Sequence, residues 1–147
     1  MTDAAPHRLP RWLRARTRYI ALAVGTIALG LAVHWRGSAL SPAVRDVLGD
    51  VLWAAMAAWA IAAIAPAVRL AWRAAAALAC CFAVELSQLF HAPALDALRQ
   101  TTGGQLVLGS GFDPRDLAAY TAGVLATVLL ERVVIGRRSH RSVNGRP

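Results

Sequence analysis

Four apolar runs, at about 19–35, 51–68, 74–90 and 117–135, dominate this chain, and arginine stands at their ends. Each approaches the roughly 20 residues that a helix needs to cross the hydrocarbon core of a bilayer. About a quarter of a soluble domain is charged. Here 16% of the 147 residues are charged, 57% are hydrophobic and the mean hydropathy is +0.47. The expected fold is therefore all-α: a polytopic membrane protein with four transmembrane helices. Basic tails at 1–18 and 136–147 flank a single membrane domain, 19–135.

The net charge is +8 and every basic residue is arginine. Nucleic-acid binding requires a basic face on a soluble fold, whereas these arginines sit at the ends of apolar runs, so no nucleic-acid partner is expected. Arginine excess marks the cytoplasmic side of a membrane protein. Eleven arginines fall on the side of the two tails and the 69–73 turn. Four, Arg36, Arg45, Arg99 and Arg115, fall on the other. Both termini are then cytoplasmic, and 85–116 faces outward. The basic start could be a signal peptide, but no small-residue cleavage site flanked by polar sequence follows, so the first run is read as an uncleaved span. Cys80 and Cys81 are neighbours on one helix and point apart, which disfavours a bridge between them. Both read as small buried hydrophobes.

Proline and its neighbours place the boundaries. Ser41-Pro42 and Asp113-Pro114 are helix starts, with a capping side chain followed by proline at the first helical position. Residues 69–73 form a tight turn, and Pro93 ends the third span. The loop at 91–113 is too apolar for a solvated linker. It is expected to be a long structured outer loop, with a short helix at 94–100, a turn at Gly103-Gly104 and a short extended piece. Gly25 and Gly30 are candidates for close helix packing.

Glu85 is the sharpest chemical signal. It lies five residues before Phe90, about 7–8 Å inside the outer boundary at 1.5 Å per residue. An ionisable residue inside a span is a functional hypothesis by default, and a structural ion pair to Arg99 or Arg115 is the alternative. Cys81 and Gln88 share its face. Asp116, Tyr120, Gly123 and Thr127 form one polar stripe on the last helix. Asp50 and Trp53 stand at the same level on the second. Asp50, Trp53, Glu85, Gln88, Arg99, Arg115, Asp116 and Tyr120 are thus expected to line an outward polar pocket, with Arg99 folded back towards Glu85. Glu131-Arg132 reads as an interfacial pair. His34, His91 and His140 are scattered without metal spacing. His91 beside Glu85 is a minor ligand alternative, and neither metal nor cofactor is implied. Gly109-Ser110-Gly111 lacks the rest of a nucleotide fingerprint.

The segments GDVLWA (49–54), ELSQLFH (85–91), LDALRQT (95–101), LVLGSGFDPRDLAAY (106–120) and Gly123 together resemble DUF2809, an uncharacterised family of small bacterial membrane proteins. The resemblance covers roughly 15–135. It implies four spans in a bacterial cytoplasmic membrane and importance for Asp50, Trp53, Glu85, Gln88, Arg99, Asp116 and Tyr120, but no activity. The order acid, two residues, Gln, then Arg, then Asp before the last span is also similar to the VanZ-like family, linked to glycopeptide resistance at the envelope. The loop here is longer, and Tyr120 stands where that family tends to show an Asn nearby.

The expected function is binding of a polar or charged envelope compound, a lipid headgroup or a cell-wall precursor. A small proton-coupled transporter is the alternative, since small multidrug exporters also combine four spans with an intramembrane Glu. Theirs lies mid-membrane in the first span. A headgroup-modifying enzyme comes third, because no nucleophile is evident. Membrane lipids are the expected partners, and an oligomer is compatible with the sequence.

Overall fold

The structure is a computed structural model that describes residues 10–109 and 111–143. The tail before residue 10, Ser110 and residues 144–147 lie outside the described residues. The chain forms α1 (Arg11–Arg36), a 3-10 turn (Gly37–Ala39), α2 (Pro42–Ile64), α3 (Leu70–Ser87), two short helices, α4 (Pro93–Arg99) and α5 (Thr102–Leu108), and α6 (Pro114–Val143). No strand occurs among the described residues, as an all-α reading requires.

Three helices, not the expected four, are long and apolar enough to cross a membrane among the described residues: Trp12–Arg36, Pro42–Ile64 and Leu70–Ser87. In α6 the unbroken apolar stretch is 117–130, after which Glu131 and Arg132 interrupt it. At 1.5 Å per residue those fourteen positions rise about 21 Å, short of a ~30 Å core. Large apolar side chains on the outside of α1, such as Ile20, Val24, Ile27 and Leu29, are exposed, which suits contact with lipid.

The boundaries shift in ways that follow from the backbone. The arginines at 11–18 belong to α1, so the basic segment is helical rather than a tail, and α6 runs on to Val143. Ser41 caps α2, accepting from the Val44 amide at 3.4 Å. α2 stops at Ile64, ahead of Pro66, because a residue before proline is pushed out of the helical region. The turn to α3 is 65–69, and Arg73 lies in the first turn of α3 and is buried. α3 ends at Ser87 rather than at Phe90, and Pro93 opens α4 instead of closing α3. The expected Gly103-Gly104 turn and extended piece are replaced by α5, whose start is capped by Thr101 accepting from the Gly104 amide at 3.0 Å.

α2 is the central helix, packed against α1, α3 and α6, and α3 also packs against α6. The tightest layer contains Ala54, Ala77, Cys81 and Val124, each at most 1% exposed. Small residues let these backbones approach. A Cβ on Gly123 would collide with the Val51 carbonyl of α2 and meet the Ala54 methyl at 3.0 Å. Gly25 and Gly30 face open space instead, so they close no contact within the chain. Gly123→Ala should therefore lower stability by about 1–3 kcal/mol, the usual penalty of overpacking, while Gly25→Ala should be close to neutral. Thermal unfolding in detergent separates the two, and equal effects would contradict this packing.

Candidate functional site

The N-terminal ends of α2 and α6 and the C-terminal end of α3 meet beneath α4 and α5, and Glu85 lies at the centre with no exposed surface. Its Oε1 accepts from the Asp113 amide at 2.7 Å. Its Oε2 accepts from the Tyr120 hydroxyl at 3.2 Å and from Gln88 Nε2 at 3.4 Å. A carboxylate inside an apolar bundle is costly unless hydrogen bonds replace its water, and here three donors do so. One is the amide of the residue that starts α6. Asp113 in turn accepts from the Arg115 amide at 2.9 Å, so the expected cap is present.

Gln88 is the second half of this fastening. Its Nε2 also donates to the Leu108 carbonyl at 2.8 Å, pinning the end of α5 to the end of α3. Gly109 follows with a φ of 68°, a left-handed conformation that glycine adopts without strain. A side chain there would strike Gln88.

Arg99 folds back as expected but does not reach Glu85. Its Nη2 donates to the Ser87 carbonyl at 2.6 Å, and its Nη1 to the Phe90 carbonyl at 3.0 Å and Asp96 at 3.2 Å. The last carbonyls of a helix have no partner within it, and a guanidinium at that end satisfies them and complements the helix dipole. Arg115 is exposed and stays outside the cluster. His91 faces Asp96 at 3.5 Å, not Glu85. Because Arg99 and Glu85 share no bond, Arg99→Ala and Glu85→Gln should add within about 0.5 kcal/mol in the double variant. Strong coupling in thermal unfolding would restore the ion-pair reading.

Asp50 and Asp116 are half-buried neighbours at the mouth of the cluster, with Glu85 behind them. Burial, and then the Glu85 carboxylate, push the Asp116 carboxyl above its ordinary range, while Asp50 opposes the shift. Trp53 covers the flank, its ring 5.8 Å from that of Tyr120. Among the described residues no ion pair reaches Asp50, Glu85 or Asp116. Of the eight expected site residues, six therefore converge: Asp50, Trp53, Glu85, Gln88, Asp116 and Tyr120. Arg99 and Arg115 do not.

The profile of a family described as a protein of unknown function, DUF2809, matches residues 39–124. The chain belongs to the DUF2809 family. The match takes in every one of the eight expected site residues and ends at Val124, so Thr127 and Glu131 lie beyond it. No solved structure matches the chain.

A second polar cluster, at the far end of the bundle, escaped the sequence reading. Arg73 Nη2 bonds Glu131 Oε1 at 2.6 Å, and the Tyr19 hydroxyl donates to the same oxygen at 2.7 Å. Tyr19 stacks on Trp59 at 6.1 Å, and the Arg18 and Arg73 guanidiniums lie 5.3 and 5.2 Å from the centre of its ring. Glu131 thus pairs with Arg73 and not with its neighbour Arg132, since adjacent residues on a helix do not face each other. The signal was available: the stripe Asp116, Tyr120, Gly123, Thr127 continues at helical spacing to Glu131.

Proposed function

We propose that this DUF2809 protein is a multi-pass protein of a bacterial cytoplasmic membrane that binds a positively charged envelope compound at its outer end. The compound's cationic group, the amine of a lipid headgroup or of a cell-wall precursor, sits against Asp50 and Asp116. The observation that carries this reading is the gathering of three carboxyl groups with no arginine opposite them among the described residues. Glu85 is saturated by its own donors and forms the floor, and Asp50 and Asp116 are the groups left to meet a ligand. Charged groups that are not paired internally mark ligand sites in membrane proteins. Trp53 beside them offers an aromatic face to an ammonium group.

In this reading α6 is a fourth span, over about 117–135. Glu131 does not oppose it, because Arg73 and Tyr19 meet that carboxylate inside the bundle. Arginine excess puts both termini in the cytoplasm. Cysteine at Gly103, in a variant without Cys80 and Cys81, should then react with an impermeant thiol reagent on intact cells. Labelling at Ser139 instead would invert the topology.

Proton-coupled transport is disfavoured by the dry layer of Ala54, Ala77, Cys81 and Val124 between the two polar clusters. Tyr120 and Thr127, at its edges, are seven residues apart, about 10 Å along the helix. An imposed proton gradient that drove cation flux in vesicles, lost in Glu85→Gln, would favour transport after all. For the binding reading, native mass spectrometry of the purified protein should show retained phosphatidylethanolamine in preference to phosphatidylglycerol. Asp116→Asn should remove the preference, and an unchanged preference would refute the assignment.

A further inference from the structure

At the opposite end of the bundle, a small, partly open pocket lies between α2, α3 and α6. Arg73, Thr127 and Glu131 line it together with Ala58 and Ala74. Its volume is about 10 Å³. That is room for a single water, which needs about 10–15 Å³ measured this way.

The lining decides the rest. The Arg73 side chain is 7% exposed. Its Nη2 is taken by Glu131, but Nε and Nη1 are buried without an acceptor among the described residues. A buried donor left unmade costs about 1–3 kcal/mol, more when the group is charged. Glu131 takes both of its bonds, from Tyr19 and Arg73, on Oε1. The Thr127 hydroxyl gives its proton to the Val124 carbonyl at 2.7 Å and keeps lone pairs to accept with. The wall therefore offers unused donors on one residue and acceptors on two others.

We infer that this cavity is the site of one resident water, which accepts from the Arg73 guanidinium and donates to the Glu131 carboxylate and the Thr127 oxygen. A water with three such partners is of the kind that proteins keep as part of their structure. It gives an acceptor to one of the two unpartnered nitrogens of Arg73, and it ties α3 to α6 at two points of this cluster rather than one. Ala58 and Ala74 leave the room: a larger side chain at either would occupy the space.

The test uses the full chain in detergent micelles with its alanine methyl groups isotopically labelled. Ala58 and Ala74 should show cross-relaxation with water of the sign that marks a long-lived site. Ala77, in the dry layer, should show none. Ala74→Val, which fills the cavity, should abolish the Ala58 signal. Absence of the signal from both methyls in the folded wild type would overturn the assignment. So would a signal of equal strength at Ala77, or one at Ala58 that survives Ala74→Val.

Discussion

Glu85→Ala should cost about 3–5 kcal/mol of stability, because it strands two donors in the interior, weakens a third and opens a cavity as well. The Asp113 amide and the Tyr120 hydroxyl lose their acceptor, and Gln88 Nε2 keeps only the Leu108 carbonyl. A domain is typically stable by only about 5–15 kcal/mol, so this single change approaches the whole margin. Glu85→Gln keeps one acceptor oxygen and should cost less than half as much. Equilibrium unfolding in detergent gives both numbers. Hydrogen exchange adds a local check: the Asp113 amide, bonded to no other acceptor, should exchange much faster in Glu85→Ala. A Glu85→Ala protein as stable as the wild type would mean that Glu85 is held for a ligand and not for the fold.

Arg73→Ala should have a comparable effect at the other end of the bundle. Removing one partner of a buried ion pair leaves an uncompensated charge, which costs about 3–5 kcal/mol. Of its two side-chain partners Glu131 would keep only the Tyr19 hydroxyl, and α3 would lose its direct polar tie to α6 at this end of the bundle. Replacing both partners by apolar residues of similar volume is often neutral or stabilising. Arg73→Met combined with Glu131→Leu should therefore recover most of what Arg73→Ala loses. Unfolding of the two variants beside the wild type decides the matter. A double variant as unstable as Arg73→Ala would show that the pair does more than neutralise its own charges.

The helical elements were legible because burial in this protein leaves a simple trace. Long apolar runs read as helices, and Ser41-Pro42 and Asp113-Pro114 read as helix starts, because capping depends on residues next to each other in sequence. The convergence of Asp50, Glu85, Gln88, Asp116 and Tyr120 was legible from helical spacing and a shared depth. The partners were not. Glu85 is satisfied largely by a backbone amide and Arg99 by backbone carbonyls, and every residue carries those groups, so sequence cannot single them out. Charge also misled. The sequence places Arg73 at the end of the tight 69–73 turn and pairs Glu131 with its neighbour Arg132, although Arg73 and Glu131 face each other across two helices. Gly103-Gly104 suggested a turn, while the Thr101 cap made it the start of α5.

The two kinds of acid around Glu85 separate the fold from the function. Glu85 has as many donors as it needs. Asp50 and Asp116 face each other with Glu85 behind, an arrangement that like charges make unfavourable and that a cation would relieve. The most direct measurement is the shift in melting temperature that phosphatidylethanolamine gives the detergent-purified protein, relative to phosphatidylglycerol. The wild type should be stabilised selectively by the amine-bearing lipid, and Asp116→Asn should melt no lower without lipid yet lose the selective shift. An Asp116→Asn protein that melts well below the wild type while keeping the full amine-dependent shift would contradict the account, since Asp116 would then serve the fold and the cation would bind elsewhere.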